Sequence, residues 1–165
     1  ENTKLKIISD LSQSIGFNGM VGGQMMDLIS EGRYNEFSPD EKYIMQTQKL
    51  KTGALITFSL KAGGLIGGAN EEELIILEKF GEKIGLAFQI VDDILDCTSS
   101  VDELGKSVDA DIKLGKTTFV TLLGLQESKN KVKKLIQEAK IEISKISKDI
   151  EKLIMLAEFV EYRKN

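Results

Sequence analysis

Histidine is absent from the 165 residues of this chain. That removes the usual general base and the commonest metal ligand, so Ser-His-Asp hydrolysis, Cys-His nucleophilic catalysis and His-ligated zinc are all excluded. The single cysteine, Cys97, rules out an internal disulfide framework and a cysteine-rich metal site, and fits a reducing compartment. One proline and almost no strict alternation of apolar and polar residues predict helices rather than strands. Cationic excess is lacking too. With 22 Lys+Arg against 26 Asp+Glu, the net charge of −4 argues against a nucleic-acid partner. The most apolar window, Gly53 to Ala69, is interrupted by Lys61 and is too polar for membrane insertion. No basic, apolar and small-residue series follows Glu1, so no signal peptide is expected. The remaining chemistry belongs to carboxylates, amides, hydroxyls and ammonium groups, and any bound metal is expected to be hard and oxygen-liganded, Mg²⁺ first.

The length suits one domain or a piece of one, and 41% hydrophobic residues suffice for a core. Leu5, Ile8, Leu11 and Ile15 recur at three- and four-residue intervals and predict a short amphipathic helix. A glycine-rich start at Gly19 to Gly23 leads into a second apolar helix that Gly32 closes. Ser38-Pro39-Asp40-Glu41 reads as a third helix start, with Ser38 capping and Glu41 completing a capping box, and this helix is expected to run to about Gly63. Asn70 with Glu73 offers a fourth start. Behind it Leu74, Leu77, Phe80, Ile84, Phe88, Val91 and Leu95 step by three or four without a break. A long connection is expected from about Thr98 to Lys116, and Thr117 to Arg163 reads as about three more amphipathic helices with lysine-rich outer faces.

On the fourth helix, Gln89, Asp92, Asp93 and Asp96 fall within about 100° of one another, beside the apolar stripe. Like charges at this spacing destabilise a bare helix, and so does an anion near a helix C-terminus, where these acids are expected to lie. A bound cation would relieve both. A solvated acidic patch is the plain alternative. A calcium loop starting at Asp92 fails, because Ile94 and Cys97 stand where a ligand and a glycine are required. Lys51 sits within about 40° of Ile44, Leu55, Phe58 and Ala62, where it either snorkels to water or meets an anion with the Thr52 hydroxyl beside it. Lys106 and Lys116 follow glycines in the long connection and could deliver ammonium groups to the same anion. Neither Gly-Lys pair completes a nucleotide-binding loop, since Ser100 and Ala110 replace the required earlier glycine. Carboxylates for Mg²⁺ and lysines for phosphate oxygens together describe a diphosphate site.

Gly22-Gly23-Gln24-Met25-Met26-Asp27, Lys51-Thr52-Gly53-Ala54-Leu55-Ile56 and Phe88-Gln89-Ile90-Val91-Asp92-Asp93-Ile94-Leu95-Asp96 occur in this order, followed by Leu104-Gly105-Lys106 and Leu114-Gly115-Lys116-Thr117-Thr118. The set closely resembles the C-terminal half of bacterial trans-isoprenyl diphosphate synthases of the farnesyl/geranylgeranyl type. The resemblance covers essentially residues 1–165, as the C-terminal part of a single polyprenyl synthase domain. It implies an all-α, isoprenoid synthase-like helical fold around a central cavity, usually as a cytoplasmic homodimer. The implied reaction is head-to-tail condensation of an allylic diphosphate with isopentenyl diphosphate, assisted by Mg²⁺ or by Mn²⁺ in its place. Asp92, Asp93 and Asp96 match the second aspartate-rich motif and are the implied metal ligands, Asp92 most directly. Lys51, Lys106 and Lys116 match positions that hold the allylic diphosphate. Thr52 and Gln89 match polar residues beside the reacting carbons, which makes Lys51, Thr52, Gln89 and Asp92 the implied catalytic set. Gln24 and Asp27 match a motif that is either cavity lining or structural.

The family's first aspartate-rich motif, its isopentenyl diphosphate grip and its product-length residues belong to the other half and are not in this sequence. The isolated chain is therefore expected to be inactive. Leu50, Asp109 and Val120 depart from residues common in bacterial relatives (histidine, glycine and proline), and Asp109 adds a negative charge near Lys106. Two other readings share the residues: a class I terpene cyclase-like enzyme, and a non-catalytic regulatory subunit of the same fold.

Overall fold

In the computed structural model, residues 2–31, 38–104 and 117–163 are described, with side chains between 99 and 104 excepted. Eight α-helices are described: α1 (Asn2–Ile15), α2 (Met20–Ser30), α3 (Glu41–Gln48), α4 (Ala54–Ile66), α5 (Glu71–Leu104), α6 (Phe119–Leu123), α7 (Leu125–Ile143) and α8 (Glu151–Tyr162). A π-helical turn, Lys49–Gly53, joins α3 to α4 without a break in the rod. No described helix is long and apolar enough to cross a membrane.

The long α5 is the axis on which the rest packs. Phe80, Ile84, Ala87, Ile90, Val91 and Ile94 are buried along it, against Phe119, Val132, Ile136, Ala139 and Ile143 of α6 and α7 and Ala157 and Val160 of α8. Its N-terminus is fixed as expected: Glu73 N–H donates to Asn70 Oδ1 at 2.9 Å while Asn70 N–H donates to Glu73 Oε2 at 3.0 Å. Across the opposite side of α5, α4 runs antiparallel. A Cβ on Gly81 would meet Thr57 Cα at 2.8 Å, and one on Gly85 would meet Gly53 Cα at 2.8 Å. The two backbones touch there, and only glycine on α5 permits it. Gly68, at φ +72°, turns the chain between α4 and α5.

Four expectations change. The third helix is capped by Asp40, whose carboxylate accepts from Tyr43 N–H at 2.7 Å, so Ser38 lies outside it and Glu41 is its first residue rather than a box partner. That rod ends at Ile66 with Gly67 as its cap, three residues later than the expected Gly63. The fourth expected helix does not stop before Thr98 but continues to Leu104. Asp92 to Asp96 therefore lie two or more turns from its end, and the macrodipole contributes little against them. Finally, the first helix forms as its periodicity predicts, yet no residue of α1 is buried, and Leu5 and Ile8 are more than half exposed. α1 packs on α4 and α2, but that stripe stays largely open among the described residues. The closing Gly32 and the connection from Gly105 to Lys116 lie outside the described residues.

Candidate functional site

Lys51 lies in the π turn. A π turn carries one extra residue per hydrogen-bonded loop, so α-helical angles cannot be carried across it, and the predicted stripe from Ile44 to Ala62 is rotated at this point. Its backbone is seated by α2: a Cβ on Gly23 would lie 2.2 Å from Lys51 N. One helical turn beyond Gly23, on the same face, stands Asp27. Its carboxylate is 5% exposed as a residue and takes Lys51 Nζ at 2.7 Å. Gly23 thus receives the main chain of Lys51 and Asp27 its ammonium group. Lys51 does not simply snorkel, although its side chain keeps 29% exposure. Tyr43 closes the corner by donating its hydroxyl to Met26 O at 2.9 Å. Burial, and then the Asp27 charge, push the Tyr43 phenol above its ordinary value of 10.0. Thr52 is half-buried in the same turn.

The other part of the site continues along α5. Relative to Gly85, the residue that meets the π turn, Asp92, Asp96 and Gln89 lie within about 40° on the helix wheel and about 6 to 17 Å farther along the axis. The acidic face is thus the continuation of the glycine face that seats Gly53. Three carboxylates on this segment have three different surroundings. Asp93 turns aside, its Oδ2 accepting Phe119 N–H at 2.9 Å where α6 begins. Asp96 is exposed. Asp92 is half-exposed, with Gln89 Nε2 donating to its Oδ2 at 3.0 Å and Arg163 donating to its Oδ1. The same guanidinium donates to Phe88 O at 2.9 Å and lies 3.9 Å above the Phe88 ring.

No group of three or more His, Cys, Asp or Glu side chains converges as a ready metal cage among the described residues. The donor set still fits Mg²⁺. That ion dehydrates reluctantly and is usually held by one or two carboxylates together with water and substrate phosphates. Asp92 and Asp96, one turn apart on a solvent-accessible face, supply two such oxygens donors. Of the residues singled out from sequence, Lys51 and Thr52 share the π turn, and Gln89, Asp92 and Asp96 share one face of α5. Asp93 points to α6, and Lys106 and Lys116 lie outside the described residues. Two side chains of this site escaped sequence reasoning: Asp27 as the partner of Lys51, and Arg163. The Gly23-to-Asp27 spacing was the available signal for the first, and nothing local marks the second, 71 residues from its partner. A separate concavity of about 730 Å³ lies among Met45, Gln46, Lys49, Glu82, Leu86 and Leu135, and neither Lys51 nor the acids line it.

The sequence profile of polyprenyl synthetases matches residues 2–156. Among curated proteins, a geranylgeranyl diphosphate synthase of Cyanophora paradoxa is 37% identical over 161 residues, covering 98% of this chain and 53% of its own length. A dimethylallyltranstransferase of Fischerella ambigua is 39% identical over 156 residues, 94% of this chain and 44% of that protein. The chain therefore spans about half the length of the curated relatives it matches. Among solved structures, a putative farnesyl-diphosphate synthase from Marinomonas sp. MED121 superposes with a TM-score of 0.81 at 33% identity, over 98% of this chain and 53% of that one. The Helicobacter pylori geranyltransferase, crystallised with magnesium and isoprenyl diphosphate, gives 0.72 at 30% identity, over 97% and 50%. On the match from residue 2 to residue 156, this chain belongs to the polyprenyl synthetase family.

Proposed function

We propose that this chain forms part of a trans-prenyltransferase that joins an allylic diphosphate to isopentenyl diphosphate, making a farnesyl- or geranylgeranyl-type product. The observation that carries the reading is the continuity of one surface. The face of α5 that seats the Lys51 turn runs on into Gln89, Asp92 and Asp96. Asp92 and Asp96 would hold Mg²⁺, and bound Mg²⁺ would supply the Lewis-acid charge that lets diphosphate depart. Lys51 donates to the leaving phosphate oxygens from a placement that Asp27 fixes, and Lys106 and Lys116 add further ammonium groups. Thr52 and Gln89 present oxygens to the allylic cation and to the proton lost after the isopentenyl double bond attacks. Asp93 supports this face from behind by anchoring α6. The active assembly is proposed to be a homodimer.

Elongation is favoured over cyclisation by the Lys51-Thr52-Gly53 turn and by the two Gly-Lys pairs. A non-catalytic role would not need Asp92, Asp93, Asp96, Lys51 and Lys116 all intact in the sequence. The reading makes two demands. The 165-residue chain alone, given both diphosphates and Mg²⁺, should not elongate. In an active protein that carries this chain, Asp92→Ala should lower turnover on the order of a hundredfold or more. Turnover unchanged by Asp92→Ala would contradict the proposal.

A further inference from the structure

We infer that Arg163 is the resident counter-cation of Asp92 and that a divalent cation reaches this carboxylate only by displacing it. The inference rests on the reading of Asp92 as a metal ligand. Both carboxylate oxygens of Asp92 are occupied, Oδ1 by the Arg163 guanidinium and Oδ2 by the Gln89 amide. Asp96, one turn on, is exposed and has no such partner among the described residues. The guanidinium is packed as part of the site, since Arg163 also donates to Phe88 O at 2.9 Å, stacks on the Phe88 ring at 3.9 Å and keeps only 15% side-chain exposure. Its Nε is buried without a hydrogen-bond partner among the described residues, a defect that would be repaired by release to water.

Electrostatics makes the two cations exclusive. A dication on either oxygen of Asp92 would stand within a few ångströms of the guanidinium, with the Phe88 ring closing the space behind it. The exit is short. Arg163 is the first residue past α8, with φ −58° and ψ 144°, and its N–H donates to Phe159 O. Rotation at this one helix-end position would carry the side chain away with α8 left in place. Arg163 is thus a positioning residue that holds Asp92 and Gln89 in place and sets the threshold for metal.

The test uses the 165-residue chain. Mn²⁺ is titrated into wild type, Arg163→Ala, Arg163→Lys and Asp92→Asn, with binding read by electron paramagnetic resonance and folding by circular dichroism. Arg163→Ala should bind Mn²⁺ roughly fivefold more tightly than wild type, with Arg163→Lys in between. The sequence holds two arginines, Arg33 and Arg163, so the ¹⁵N–¹H spectrum of arginine Nε has two signals to assign. Saturating Mg²⁺ should shift the Arg163 signal in wild type, which carries the test even where the Ala variant unfolds. Equal Mn²⁺ affinity in the folded Arg163 variants, or an Arg163 signal unmoved at saturation, overturns the inference. If Mn²⁺ binding is lost in Asp92→Asn but ignores Arg163, only this inference falls. If Mn²⁺ binding is absent or indifferent to Asp92→Asn, the metal reading falls with it.

Discussion

Asp27 and Asp92 each hold a cationic side chain, Lys51 and Arg163, but the Asp27 carboxylate is 6% exposed and that of Asp92 38%. Around the first pair the protein is fitted at the level of backbone. Gly23 admits the main chain of Lys51, and the π turn is held between α2 and α5. Around the second pair the fit is made by the Arg163 side chain, which reaches the Asp92 carboxylate, the Phe88 ring and Phe88 O from one residue past a helix end. A carboxylate buried with its partner cannot change that partner without leaving a charge in a poor solvent. A half-open one can exchange a guanidinium for another cation at modest cost. On the proposed reading the difference separates scaffold from working surface: Asp27 keeps an ammonium group in place, whereas Asp92 would trade its cation.

The contrast can be broken most sharply at Gly23. A Cβ 2.2 Å from Lys51 N cannot be absorbed by a side-chain rotation, so α2 and the π turn must part. Gly23→Ala should cost about 3 kcal/mol, read from the urea midpoint, and a cost well below 1 kcal/mol would mean the cradle is loose. Next comes Asp27→Ala. Breaking a buried pair costs about 3–5 kcal/mol, and the partial exposure of Lys51 discounts this to about 2 kcal/mol. Asp27→Ala combined with Lys51→Met should recover much of that loss, because no unpaired ammonium group is left. If Asp92 is as exchangeable as argued, Arg163→Ala should lower stability by less than about 1 kcal/mol. An Arg163 effect as large as that of Asp27 would erase the distinction between the pairs.

The smallest effect concerns acid. Glu73, Glu138 and Glu142 have carboxyls held below 4.5, chiefly by hydrogen bonds from Lys148, Lys83 and Lys145 respectively. A depressed folded-state pKa gives stability that is present above 4.5 and is lost as pH falls through the lower folded value. The Glu138 side chain is 40% exposed, and those of Glu73 and Glu142 keep 15% and 13% but pair with lysines that are more than half exposed, so the acid-induced drop should be shallow and should shrink further in high salt. A salt-independent acid transition would contradict this assignment to the three glutamates.

Much of the fold was open to reading because its signals are local. The unbroken three-and-four spacing from Leu74 to Leu95 and the Asn70–Glu73 exchange of hydrogen bonds lie within single turns of helix, and α5 follows from them. The aspartates and Lys51 could likewise be picked out as local clusters. What escaped depends on contacts between distant segments. Sequence gives no warning of the π turn, which Gly23 on α2 and Gly85 on α5 clasp from two sides. The extension of α5 to Leu104 is not legible in the sequence because its polar last turns resemble a loop, although no glycine or proline interrupts them. Ser38 and Asp40 are both able caps, and the 2.7 Å bond to Tyr43 N–H decides for Asp40. On α1 the period was legible, whereas the exposure of its apolar stripe was not, because a period reports a face and not what lies against it.

In the proposed function, Asp92 and Lys51 serve one ligand, a metal-bound diphosphate. The most direct test is calorimetric titration of inorganic pyrophosphate into the chain with and without Mg²⁺. Binding should be saturable, require Mg²⁺ and weaken at least about tenfold in both Asp92→Ala and Lys51→Ala. Binding that needs no Mg²⁺, or that survives both substitutions unchanged, would contradict that reading.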